Sequence, residues 1–287
     1  MDNVNKKILW LADHDLDQAP GGAQRSDSII ISQGKLLGFN ILKVTCKTIS
    51  EDLNIHDYDI LITSNIHALH LTRKNLIDEI SKHKHHIRLE HDSNEYLSTE
   101  DRIKLFNSCV KTIFLSDFHV SFFKQRYGEI FKNIEVVYDP IDINIFKDNG
   151  QEREEKILYA GYMHPLKGSF EFFEYALNNP QQNFVIAGWT DNCILHHLST
   201  TIPNIEYLGL KKYEEMPSIY NKYKAMFYDP NLNEPFCRSI AEAIMCGMFI
   251  LTSRENRIGC MREMEKIGID DFREKCGVAA LKFWQSI

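Results

Sequence analysis

Asn233-Glu234-Pro235-Phe236-Cys237-Arg238-Ser239-Ile240-Ala241-Glu242-Ala243-Ile244-Met245-Cys246-Gly247 reads as a loop, a helix and a turn, followed by the apolar run Met248-Phe249-Ile250-Leu251. Pro235 pre-sets the backbone ahead of the helix, Ile240 and Ile244 repeat on one face, and Gly247 suits the left-handed position after the last turn. Glu234 therefore falls in the loop and Glu242 on the helix. A helix start offers unpaired N–H groups and a partial positive charge, which suits a diphosphate, while the two carboxylates can accept hydrogen bonds from hydroxyls. That combination points to a sugar nucleotide as ligand.

Outward from this stretch, short apolar runs alternate with amphipathic segments along the chain. Strands are expected at Lys7–Ala12, Ile41–Thr45, Asp59–Thr63, Ile87–Glu90, Thr112–Leu115 and Ile134–Tyr138, then at Lys156–Ala160, Asn183–Ala187, Asn204–Leu208, Ala225–Tyr228 and Met248–Thr252. Helices fit between them at about 22–38, 72–82, 100–109, 117–127, 168–178, 213–223, 238–246, 259–267 and 271–285. Such alternation implies parallel sheets in an α/β fold. Two Rossmann-like domains of six and five strands fit better than one long sheet, with the polar stretch Lys147 to Glu155 as the break. The expected divisions are 1–148, 149–270 and a C-terminal helix, 271–287. In two facing open α/β domains, ligands bind beyond the carboxyl ends of the strands, lining an interdomain cleft.

The composition is that of a globular protein, and a net charge of −7 with neither half basic disfavours nucleic acid as the main partner. Seven cysteines without a Cys-x-x-Cys pair suit reduced thiols in a cytoplasmic protein. The first apolar stretch is too short for a signal sequence, and no run has the roughly 18 apolar residues of a membrane span.

Other segments gain weight from where they fall. Gly21-Gly22 opens a helix after the first strand, where the backbone can approach a ligand closely; a plain strand-to-helix turn is the equal alternative. Asp13, Asp15 and Asp17 imitate a metal set, but acidic residues just ahead of a helix are more often solvated or capping, so no metal site is assigned. Lys82-His83-Lys84-His85-His86-Ile87-Arg88 is the basic cluster, read first as a solvated helix end and second as an acceptor or peripheral membrane patch. His91-Asp92 ends a strand; the histidine is a candidate for bonding a sugar hydroxyl, with Asp92 setting its tautomer or reaching the acceptor. Gly161-Tyr162-Met163-His164-Pro165-Leu166-Lys167-Gly168 places an ammonium just before a helix, able to neutralise a phosphate. Its order is not that of a P-loop, and no Gly-x-Gly-x-x-Gly follows a strand, so dinucleotide redox chemistry is unsupported.

Taken together and in order, these segments resemble the GT-B glycosyltransferases, specifically the retaining family 4, or group 1, transferases. Gly21 to Arg25 is similar to the family's Gly-Gly-Ala-Glu-Arg loop, and Ile113 to Asp117 to its strand-Ser helix entry. Val136 to Phe146 resembles the interdomain signature, Gly161 to Gly168 the Gly-Arg…Lys-Gly segment, Phe184 to Gly188 the strand-Gly that follows, and Glu234 to Glu242 the Glu-x7-Glu motif. The resemblance implies that Glu234 contacts donor sugar hydroxyls and Glu242 the ribose. It puts backbone amides of Phe236, Cys237, Arg238 and Ser239 on the diphosphate with Lys167, closes the cleft with Gly22, and sets His91 near the reacting carbon. His91 and Glu234 are thus the catalytic candidates, Tyr162 stands in the donor site, and Asp13 and Asp92 lie on the acceptor side. No cofactor or metal is implied, the helix dipole and cations taking the leaving-group charge. The expected reaction moves a sugar from a nucleotide diphosphate to a hydroxyl of a glycan or lipid-linked glycan. Alternatives are a modified nucleic-acid base as acceptor, or a non-catalytic nucleotide-sugar-binding module. Three departures bear on activity: Tyr162 where arginine is usual, with Arg238 as its candidate replacement; Cys237 where glycine is usual; and Asp139-Pro140 for Asn-Gly. The Phe283-Trp284 pair is the expected buried anchor of the C-terminal helix.

Overall fold

The computed structural model describes residues 6–93 and 96–287. They fall into two compact units, one within Met1–Pro140 together with Lys275–Ile287, the other Ile141–Glu274. Each is built on a parallel sheet, as the alternation of apolar runs and amphipathic helices requires.

In the first unit the strands are β1 (Lys7–Leu11), β2 (Asn40–Val44), β3 (Ile60–Thr63), β4 (His86–Leu89), β5 (Cys109–Phe114) and β6 (Ile134–Val136), in the order β2-β1-β3-β4-β5-β6. The central strands are buried because helices cover a parallel sheet on both faces; β1 and β3 are mainly apolar, while β4 also buries His86 and Arg88. The helices are α1 (Gly22–Leu36), α2 (His67–Thr72), α3 (Leu76–Ser81), α4 (Thr99–Ser108) and α5 (Asp117–Tyr127). Where one helix is expected at 72–82 there are two, separated at Arg73–Asn75, with Asn75 in the left-handed region at φ 63°. Ser98 and Ser116 cap α4 and α5 by accepting from Asp101 N and His119 N.

The second unit orders β7 (Glu154–Tyr162), β8 (Asn183–Trp189), β9 (Ile205–Tyr207), β10 (Tyr223–Phe227) and β11 (Phe249–Leu251) as β11-β10-β7-β8-β9. Its helices are α6 (Ser169–Asn178), α7 (Cys193–Thr201), α8 (Met216–Lys222), α9 (Arg238–Met245) and α10 (Gly259–Ile267). Helix α7 is absent from the sequence expectation; Asn192 starts it by accepting from the N–H groups of Ile194 and Leu195. The core joins Tyr159, Phe172, Phe173, Phe184, Ile186, Leu195 and Phe227.

The last helix, α11 (Ile269–Gln285), begins in the second unit and supplies its later turns to the first. Phe283 and Trp284 are buried there, Trp284 stacking on Phe39 at 4.7 Å and donating its Nε1–H to the Ile30 carbonyl at 2.6 Å. The indole lies flat against Gly34 of α1, where a Cβ would collide with the ring.

Candidate functional site

Strand β10 ends at Phe227, and the chain crosses the carboxyl edge of the second sheet as Tyr228 to Cys237 before entering α9. Glu234 is fixed by its backbone: its N–H donates to the Arg257 carbonyl and its own carbonyl accepts from Gly259 N. The residue is 6% exposed, and Oε1 accepts from Lys167 Nζ and from the Tyr228 hydroxyl, each at 2.5 Å. Burial, with Cys237 and the Glu234 carboxylate close by, pushes the Tyr228 phenol well above its ordinary range, so Tyr228 stays a donor.

Lys167 reaches Glu234 from a 3-10 turn, Pro165–Lys167, whose start is capped by His164 Nδ1 accepting from Leu166 N. Gly168 follows at φ 78°, packed so closely on Asp229 that a Cβ would strike the Asp229 carbonyl. Asn231 N donates to the Leu166 carbonyl, tying the two loops together. The cation and the carboxylate, 67 residues apart in sequence, thus meet through the loop backbones. Asp229 in turn accepts from Ser253 N at 2.7 Å and from the Thr252 hydroxyl at 3.0 Å.

Cys237, the N-cap of α9, adopts φ 70°, ψ 78°. A side chain there costs roughly 1–2 kcal/mol against the nearby carbonyl, which is the physical reason for glycine at such a position. Burial, reinforced by Glu234, pushes the thiol up to about 12, so Cys237 is a neutral thiol and no nucleophile. The first-turn amides of α9, at Arg238 and Ser239, are the kind of helix-start N–H array that binds anions. Ser239 Oγ sits 3.7 Å from Cys237 Sγ, while the Phe236 ring is core, stacked on Phe272 at 5.8 Å, so only its backbone is available to a ligand.

Glu242 lies one turn into α9 and is 3% exposed. Its Oε1 accepts from Arg238 Nε at 2.8 Å and from the Tyr213 hydroxyl at 2.8 Å; Arg238 Nη2 donates to that same hydroxyl at 3.0 Å. Arg238, the candidate replacement for the missing arginine, is therefore engaged with Glu242 in a buried i,i+4 pair. The arginine position itself holds Tyr162, whose hydroxyl donates to Asp191 at 2.6 Å and whose ring lies 4.7 Å from Trp189 and 5.7 Å from His164. Trp189 is 41% exposed, so the carboxyl edge of β7 and β8 presents an aromatic wall where a cation is expected.

In the first unit, Gly22 is the exposed first residue of α1. Asp13 caps α2, accepting from Leu69 N at 2.8 Å, and Asp92 accepts from Asn65 Nδ2 at 2.6 Å. His91 is 5% exposed, and its Nε2 lies 2.9 Å from Oδ1 of Asp27, itself 2% exposed. Asp27 also accepts from the Ser64 hydroxyl at 3.1 Å, and the Ser64 carbonyl accepts from Arg88. Asp139, one of the departures from the interdomain signature, accepts from the Ser26 hydroxyl at 2.6 Å. The neighbours Tyr213, Tyr228, Asp229, Asp27 and Ser64 escape sequence reasoning, the strand-end positions of Ser64, Tyr228 and Asp229 being the available signal. Among the described residues no group of three or more His, Cys, Asp or Glu is placed to hold a metal ion.

Residues 141–268 match the family model described as Glycosyl transferases group 1. A curated relative, the "Uncharacterized 42.6 kDa protein in cps region" of Klebsiella pneumoniae, is 25% identical over 210 residues, 64% of this chain and 54% of that protein. The match thus spans about half the length of that relative. Among solved structures, HepE of Anabaena in complex with UDP and glucose superposes with a TM-score of 0.63 at 16% identity, over 97% of this chain and 95% of HepE. Sucrose-phosphate synthase from Thermosynechococcus elongatus reaches 0.70 at 11% identity, over 98% of each chain. AviGT4, a glycosyltransferase involved in avilamycin A biosynthesis, reaches 0.63 at 13%, over 98% of this chain and 96% of AviGT4. At these identities the structural likeness is one of fold, and it covers both units. Residues 141–268 thus match the Glycosyl transferases group 1 model, and the fold of the chain is that shared by the GT-B glycosyltransferase structures it superposes on.

Proposed function

We propose that this chain is a retaining glycosyltransferase that moves a sugar from a nucleotide diphosphate sugar to a hydroxyl acceptor without a bound metal. The observation that carries the reading is the pair of buried glutamates at either side of the α9 start, each held by a cation, Glu234 by Lys167 and Glu242 by Arg238. A diphosphate at the α9 amides meets the helix dipole and Lys167 together. As Lys167 turns to the diphosphate, Glu234 exchanges its ammonium partner for a donor sugar hydroxyl, and no carboxylate is left buried without a partner. Glu242, steadied by Arg238 and Tyr213, accepts from the ribose. The positive charge about the diphosphate stabilises the departing nucleotide, which is the part of the barrier such a site lowers.

A glycan or lipid-linked glycan is the acceptor class we favour; a nucleic-acid acceptor is disfavoured by the net charge of −7. None of the seven cysteines is disulfide-bonded, in keeping with a cytoplasmic setting, and among the described residues no helix is long and apolar enough to cross a membrane. Tyr162 and Cys237, which stand for the usual arginine and glycine, favour one second reading, a module that binds a nucleotide sugar without turning it over.

The test is a panel of UDP- and GDP-sugars, UDP-glucose first because HepE holds UDP and glucose. Calorimetric binding with slow release of free nucleotide is expected for at least one donor. Binding without release, even with glycan acceptors present, selects the module; neither binding nor release ends the sugar-nucleotide reading.

A further inference from the structure

A buried polar cluster gathers around His91 at the end of β4, and the proposed reaction leaves its logic unused. Asp27 reaches the ring from the second turn of α1, and its Oδ1 is also held by the Ser64 hydroxyl from the end of β3. Asp139, from the segment after β6, is fixed by Ser26, the residue beside Asp27. A carboxylate only accepts hydrogen bonds, so the nitrogen facing it, Nε2, carries a hydrogen whether the ring is neutral or charged. Nδ1 is then the nitrogen that gains or loses a proton.

Charges reach the ring from each element packed around it. Burial works against protonation, but the hydrogen bond to Asp27 and the negative charges of Asp27, Asp139 and Asp92 outweigh it, and the pKa of His91 is raised. His119 on α5 is held neutral by burial, with the charge on His91 adding to the effect, so it brings no opposing positive charge.

We propose that Asp27 is a positioning residue for His91, locking the ring through Nε2 so that Nδ1–H donates a hydrogen bond to a sugar oxygen instead of accepting a proton. The role rests on the glycosyltransferase reading above, whereas the lock itself is a property of the first unit. A histidine acting in this way orients and stabilises charge, and it loses effect once Nδ1 deprotonates.

The test combines ring 15N NMR of the whole chain, titrated from about pH 5 to about pH 9, with kcat and KM for UDP release from UDP-glucose over the same range. His91→Gln identifies the His91 signals. In the wild type, Nε2 should stay protonated on the alkaline side and the His91 midpoint should lie above 6.5. Asp27→Asn should lower that midpoint by about one unit, a tenfold change in the protonation constant. It should also cut kcat at neutral pH severalfold, approaching tenfold only on the alkaline side of both midpoints, with KM within about twofold, and activity should partly return on acidification. An unchanged midpoint with an unchanged kcat–pH profile in Asp27→Asn overturns the proposal, as does a wild-type ring protonated on Nδ1 at alkaline pH. Should Asp27→Asn fail to fold, the wild-type tautomer and Ser64→Ala decide, the latter expected to shift the midpoint in the same direction by a smaller amount. No UDP release by the wild type from UDP-glucose counts against the glycosyltransferase reading for that donor, and the NMR arm then reports on the lock alone.

Discussion

Glu242 and Cys237 share the first turns of α9, yet their environments ask opposite things of a substitution. Glu242→Ala removes the carboxylate that the proposed function assigns to the ribose, and calorimetry should show nucleotide binding weakened by about 1–3 kcal/mol. It also takes away the carboxylate that Arg238 pairs with in a buried setting, so thermal unfolding should show a stability loss of about 3–5 kcal/mol, with Glu242→Gln milder on both counts. An unchanged affinity in folded protein would remove the glutamate from the ribose. Cys237→Gly relieves a side chain at φ 70° while loosening the unfolded chain. The two effects nearly offset, and urea denaturation should report a change within about 1 kcal/mol of zero, leaning to stabilisation. The types and positions of the two glutamates are legible in the sequence because their spacing about a helix start has a direct geometric meaning. Tyr213 and Tyr228 are not, because a tyrosine hydroxyl that meets a carboxylate 29 or 6 residues away announces neither its partner nor its direction.

At the scale of elements, the turn that carries Lys167 depends on one residue without a side chain. Gly168 is both left-handed and pressed on the Asp229 carbonyl, so Gly168→Ala should destabilise the second unit by about 2 kcal/mol or more, read by urea denaturation. Because that turn aims the ammonium at Glu234, the same variant should weaken donor binding in calorimetry without touching a ligand contact. Unaltered stability would mean that the loop shifts away freely. The eleven strands among the described residues stand within a few residues of where apolar runs predict them, since a strand buried on both faces is written mainly in apolar residues. Helices are less uniformly legible. The segment Cys193–Thr201 ends in Ser-Thr-Thr and offers little helical periodicity, its start being set by the single Asn192 cap. The split between α2 and α3 turns on Asn75 at positive φ, a backbone choice that no hydrophobic pattern encodes.

For the molecule as a whole, the buried histidines of the first unit set how stability follows pH. Burial, with Arg88 adding, pushes His86 down to about 3, and burial likewise lowers His119. Between the unfolded value near 6.5 and these folded values the unfolded chain binds more protons, so each histidine costs stability on acidification at about 1.4 kcal/mol per pH unit. His91 runs the other way: its pKa is raised, so its contribution is complete below about 6.5 and is lost as pH rises through the folded value. Thermal unfolding should therefore show a stability maximum just above pH 6.5, and His91→Gln should flatten its alkaline side. A curve unaffected by that substitution would contradict the ion pair with Asp27.

Trp284 adds a second dependence on the whole. Trp284→Ala should cost about 3–5 kcal/mol, read by denaturation, because it empties the slot formed by Gly34 and Phe39 and leaves the Ile30 carbonyl without its indole donor. The anchor is visible in the sequence as an aromatic pair, but its receiving slot is a glycine in the last turn of α1 that single-residue propensity marks only as a weakness.

That slot also orders events at the ribosome. Domains tend to fold as units while the chain emerges, N-terminal first. Here the core of the first unit includes residues 275–287, which are made only after the entire second unit. The unit whose synthesis starts first is thus the last to close, and until then Trp10, Phe39 and the flat face at Gly34 wait without their indole. A nascent chain halted after Glu274 but before Trp284 carries a complete second unit and an unsealed first one, the species on which chaperones and proteases would act.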